Sequence, residues 1–109
     1  MSREYYEFVY DQRLQVNRPL LHVEYDDLPI QAQHTFELKC QEVCALIPPQ
    51  IKAFEQQYMA KFDRLNQATD DKEFYQLLDE MNELSSRISD LNVLFLHIEG
   101  TYIATSMHA

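Results

Sequence analysis

Glycine is all but missing from this chain: Gly100 is the single example in 109 residues. Phosphate-cradling loops, dinucleotide-binding turns and the elbow that exposes a nucleophilic serine all depend on the backbone freedom of glycine. Nucleotide-binding and hydrolase architectures are therefore not expected, and the chain is read as a non-enzyme. Positive charge is scarce as well, with 9 Lys and Arg against 18 Asp and Glu and a net charge of −9. Neutralising a nucleic-acid backbone takes clustered cations, so direct binding to DNA or RNA is not expected. Long apolar runs are lacking. The nearly uncharged apolar stretch at residues 91–98 is far shorter than the roughly 20 residues that span a bilayer, and no membrane partner is expected. The opening residues, Met1 to Tyr6, show no basic segment followed by an apolar one, which predicts a cytoplasmic protein without a secretory leader.

Metal and cofactor signatures are also missing. The chain has no His-Glu-x-x-His, no Cys-x-x-Cys and no Glu-x-x-His pair of the di-iron bundle type, and no cofactor is expected. Its two cysteines, Cys40 and Cys44, stand four positions apart. On a helix their Cβ atoms would be about 5–6 Å apart, wider than the roughly 3.8 Å of a disulfide, so both are expected as reduced thiols.

What is present is an ordinary globular balance, 46% hydrophobic and 25% charged, in a length suited to one domain. That domain divides into an aromatic-rich segment 1–26, a helical core 27–99 and a tail 100–109. The clearest pattern lies in the last third. Phe74, Leu77, Met81, Leu84, Ile88, Leu91, Phe95, Ile98 and Tyr102 alternate at three and four residues, the seam of a helix packed on a near-antiparallel neighbour. Asp70, with Glu73 three positions on, resembles a capping box, and Gly100 is a plausible stop, which places this helix at 71–99. Ile51, Phe54, Tyr58, Phe62 and Leu65 predict a second helix at 49–67, beginning at Pro48-Pro49, where a first turn has no use for the missing N–H. Phe36, Cys40, Val43 and Ile47 predict a third, with Asp27 as N-cap and Pro29 in the first turn, broken at Ile47 by the proline that follows. The short loop at 66–70 implies that the last two helices pack antiparallel.

The first 26 residues admit two readings. Tyr6, Phe8 and Tyr10 alternate like a strand, as do Leu21, Val23 and Tyr25 beyond Pro19, while Tyr5, Phe8, Val9 and Gln12 fit helical spacing. The helical reading, residues 3–15 followed by an extended 19–26, makes the protein an all-α antiparallel bundle of three to four helices. The alternative is an α+β fold with a short N-terminal β-hairpin on a helical hairpin.

Four groups of residues are candidates for function. Cys40 and Cys44 share a helical face and could serve a metal or small-molecule site with a histidine from His22, His97 or His108, whereas His34, six residues before Cys40 and about 120° around the helix, cannot join them locally. Cys40 also belongs to an apolar stripe and packs as a small hydrophobe. His97, set among apolar residues, could be a general base, although a partly exposed helix position is the commoner explanation. Asp79, Glu80, Glu83 and Asp90 lie off the seam: a solvated face by default, a surface for a basic protein or a phosphate-like array as the alternatives. Tyr5, Tyr6, Tyr10 and Tyr25 combine apolar area with a polar tip, which suits either an interface or the capped end of a bundle. Beside the seam, Leu78, Val93, Leu94 and Leu96 add apolar surface that two neighbours cannot cover, and Leu78, Leu94 and Leu96 are expected to serve self-association, most simply as a homodimer. The combined expectation is a non-catalytic acidic interaction module of inhibitor, immunity or adaptor type that engages a larger basic protein. A DNA-mimic inhibitor and a metal- or small-molecule-binding helical protein are the alternatives.

Overall fold

A computed structural model describes residues 5–103. Two strands, β1 (Tyr6–Asp11) and β2 (Val16–Leu21), precede two long helices, α1 (Ile30–Leu65) and α2 (Asp71–Ile98). The molecule is an elongated antiparallel helical hairpin, 60 × 25 × 16 Å overall, with the β-hairpin packed against it. This is the α+β alternative and corrects the bundle of three to four helices.

The N-terminal helix expected at 3–15 is a hairpin because period-two burial serves this segment better. Tyr6 and Phe8, on one face of β1, both reach the Phe36 ring of α1, with centroids 5.0 and 5.7 Å away. The strands pair antiparallel with Phe8 opposite Pro19. His22 N–H donates to the Tyr5 carbonyl at 2.8 Å, so hydrogen-bonded pairs alternate from there and Pro19 falls at a non-bonded position, its lacking donor turned to the open edge. The connecting turn is held by Asp11, whose carbonyl accepts from Gln15 N–H at 2.7 Å and whose side chain accepts from Leu14 N–H at 2.9 Å. Gln15 closes it in the left-handed region, φ 61°.

The two helices expected on either side of Pro48-Pro49 are one. Ile47 does not mark a break: α1 carries both prolines in its interior. Phe36, Cys40, Val43, Ile47 and Phe54 are all buried. The seven residues from Ile47 to Phe54 are close to two turns, so the apolar stripe crosses the prolines in phase. Packing against α2 outweighs the loss of two donors from the helical ladder. Asp27 is not the N-cap either. It ends a 3-10 turn, Tyr25–Asp27, and α1 starts after Pro29. The Gln33 amide donates back to the carbonyls of Leu28 and Tyr25, at 3.1 and 3.3 Å.

The loop at 66–70 and Asp70 as the N-cap of α2 are as the sequence predicts, the Asp70 side chain accepting from Lys72 N–H at 3.1 Å, whereas among the described residues Glu73 makes no hydrogen bond back to Asp70 to complete a capping box. Gly100 does not stop the helix. The α-helix ends at Ile98 and the chain widens into a π-helical turn, Glu99–Ile103. That turn carries Tyr102 onto Phe36, ring centroids 5.0 Å apart. Leu14, Phe36, Cys40, Ile47, Phe54, Leu91 and Ile98 are fully buried, so the core sits where the β-hairpin meets the helices. The α-hairpin extends beyond it as a two-helix arm. Among the described residues, no helix is long and apolar enough to cross a membrane.

Candidate interaction surfaces

On α2, Asp79, Glu83, Ser86 and Asp90 recur at four, three and four residues and form one stripe along the helix. Arg13, from the β-hairpin turn, lies across it. Its Nε donates to Glu83 Oε1 at 2.9 Å, its Nη1 to Asp90 Oδ2 at 2.7 Å and its Nη2 to Ser86 Oγ at 2.7 Å. Arg87 adds a bond to the same Glu83 oxygen at 3.1 Å, and Lys61 of α1 pairs with Glu80 at 2.9 Å. Hydrogen bonding from Arg13 and then Arg87 holds the Glu83 carboxyl below its ordinary value of 4.5, and Lys61 does the same for Glu80.

Three of the four singled-out carboxylates thus already have cations, and their first role is to dock the β-hairpin and tie the helices together. Asp79 is exposed, and among the described residues no ion pair engages it. The paired cations dilute the negative potential that a phosphate-like array would need.

The tyrosines divide in the same way. Tyr6 is 3% exposed and offers no surface to a partner. Tyr25 is half-buried; its hydroxyl donates to Glu37 and its ring stands 6.5 Å from Phe36. Tyr5 is half-buried. Of these four, Tyr10 alone is open, at 56%. Of the leucines expected to serve self-association, Leu94 is buried in the core beneath the β-hairpin, whereas Leu78 is half-buried and Leu96 exposed.

Cys40 and Cys44 are both buried and unbridged. Burial pushes the Cys40 thiol up to about 12 and raises that of Cys44, with Glu99 adding to the latter. Metal binding takes thiolates, and this setting disfavours them. Among the described residues no three His, Cys, Asp or Glu side chains converge as metal ligands. His22 pairs with Glu7 at 3.0 Å and His34 is exposed on α1. His97, also exposed, lines a shallow depression with Arg18, Asp90, Val93 and Leu94, and the Thr101 hydroxyl lies 3.4 Å from its Nδ1. His108 lies outside the described residues.

One surface escaped the sequence reading. Phe62 and Phe74, expected in the seams, are 41% and 38% exposed near the far end of the arm. Two helices bury only the residues that face one another, and the β-hairpin is docked at the other end. Toward the middle, Glu55, Tyr58 and Met59 of α1 face Ser85 and Ile88 of α2 across a groove of about 410 Å³. The excess of apolar residues beside the α2 seam was its signal in the sequence.

Comparison with known protein families, with curated proteins and with solved structures returns no match to this chain. The class is therefore defined by the fold itself: a two-helix arm buttressed by a β-hairpin through an arginine–carboxylate clamp.

Proposed function

We propose that this protein is a non-catalytic interaction module, of adaptor or inhibitor type, which engages a larger basic protein through the carboxylate stripe of α2 with Tyr10 as an outlying anchor. The observation that carries this reading is Arg13. Its guanidinium already binds the stripe at Glu83, Ser86 and Asp90, an intramolecular example of the cation that these side chains are spaced to receive. The stripe continues past it to Asp79, which remains open to solvent. Carboxylates of this kind steer association and set its orientation more than they add affinity, while an exposed tyrosine adds contact area.

The experiment is capture of partners on the immobilised protein at low and at high salt, beside a D79N variant; Glu80 is left intact because its pair with Lys61 ties the helices together. Glu83 and Asp90 are left intact because they hold the β-hairpin. A stoichiometric basic partner that weakens with salt, and weakens again in the variant while the thermal melt stays in place, supports the reading. Binding that ignores both salt and the variant overturns it.

A further inference from the structure

The α2 helix carries two seams. The first, Leu77, Met81, Leu84, Leu91 and Ile98, is buried and faces α1. The second flanks the first and shares Met81 with it, running Phe74, Leu78, Met81, Ser85, Ile88, Asn92 and Phe95 at alternating four and three residues; Phe74, Ser85 and Asn92 are exposed, Leu78, Ile88 and Phe95 half-buried, and Leu96 lies exposed beside its end. A helix with one neighbour needs one seam; a helix in a four-helix bundle needs two. In α1, Cys44, Pro48, Ile51, Glu55, Tyr58 and Phe62 repeat the same spacing beside the buried stripe. The groove in which Tyr58 and Met59 face Ser85 and Ile88 lies between these second seams.

We propose that a second copy of this chain covers this face, the two helical hairpins packing about a two-fold axis near Ser85 into a four-helix bundle. Three observations choose that occupant. First, the second seam of α2 bears no charge, although its chain is at −9. Asp79, Glu80, Glu83, Arg87 and Asp90 all fall off that seam, and Glu83 stands two residues, or about 200°, around the helix from Ser85. Two equally acidic molecules meet best where few acids are presented, and Glu55, on the α1 side of the groove, is the one acid of the two second seams, whereas a basic partner would be drawn to the carboxylate side.

Second, the seam is self-complementary. Phe74 and Leu96 each lie eleven residues from Ser85, close to three turns, and so share its side of the helix. An antiparallel copy centred on Ser85 sets Phe74 against the partner's Leu96 and Leu78 against the partner's Asn92. The small Ser85 meets itself on the axis, as an isologous interface requires. Third, the size suffices. A face about 33 Å long and about 18 Å wide is roughly 600 Å² per copy, or roughly 1,200 Å² in total, the lower bound for a stable association. This face is separate from the carboxylate stripe, so the two readings stand or fall independently.

The test is the mass of the full-length chain in solution by sedimentation equilibrium, with three variants. The wild-type protein is expected to sediment at twice its 13.0 kDa. In S85E two carboxylates would face each other on the axis, with Glu55 lining the same groove. The dimer dissociation constant should weaken at least about 100-fold while the helical circular dichroism is unchanged. S85C should cross-link to a dimer under mild oxidation, and V93C, on an exposed position off the seam, should stay reduced. A wild-type monomer at every concentration overturns the proposal. So does a dimer that S85E leaves intact, or one that V93C cross-links in preference to S85C.

Discussion

Arg13 and Asp90, 77 positions apart in the chain, meet at 2.7 Å, and this contact joins the β-hairpin turn to the middle of the last helix. The same guanidinium bonds Glu83, whose carboxyl it holds below the ordinary 4.5. A carboxyl with a lowered folded-state value favours the native state when ionised. Its contribution is present above about pH 4.5 and is lost as the pH falls through and below that value. Substituting Arg13→Gln should lower the melting temperature at neutral pH, less so at high salt, because the pair is solvent-exposed. It should also flatten the decline of stability below pH 4.5. Melting curves of both proteins from pH 7 to 3 check this; parallel declines would refute the clamp.

Phe36 is the residue on which the β-hairpin, α1 and the end of α2 converge, with Tyr6, Phe8, Tyr25 and Tyr102 rings all within 6.5 Å of it. Its side chain is fully buried. Truncation as Phe36→Ala should cost about 3–5 kcal/mol, a large share of the roughly 5–15 kcal/mol that holds a domain together. Denaturant unfolding gives the number, and hydrogen exchange should show the strand amides of β1 and β2 losing protection first.

The cysteines should behave as core residues. With its thiol pushed up to about 12, Cys40 would be about one part in ten thousand thiolate at pH 8. A thiol reagent at pH 8 should modify Cys40 at the rate of unfolding rather than at that of a free thiol. Modification in the native state at the free-thiol rate would show that the site opens.

Pro48 and Pro49 lie inside α1 and are both exposed, so they disturb the helix without filling the core. Replacing Pro49 by alanine restores a donor and removes a ring from the preceding turn. The variant should gain stability, by up to about 3 kcal/mol. A loss of stability in the same denaturant experiment would mean that the core is fitted to a bend that the prolines set.

Much of the helical hairpin is legible in the chain. The three-four alternation from Phe74 onward, the Asp70 cap and the short loop at 66–70 are local matters, decided within a few residues by backbone hydrogen bonding and helical period. The second seam was legible only as an excess, in Leu78 and Leu96, because a sequence shows that a helix is apolar on too many sides without showing which side a neighbour takes. Arg13 had no local signal. Its partners are 70 to 77 residues away, and nothing in the spacing of the last helix reveals that its acids are met from the N-terminus.

Sequence alone therefore determined the acidity, the near-absence of glycine and the positions of the turn and cap that fold α1 back on α2. Tertiary structure decided the rest. It chose strand over helix for residues 6–11 because Tyr6 and Phe8 can both reach Phe36 only at period two. It carried α1 through two prolines because Ile47 and Phe54 are both buried on one continuous stripe, and the burial outweighs two absent donors. It turned Glu83 and Asp90 from free charges into docking points, because long-range ion pairs depend on where the chain places its ends and not on the residues beside them.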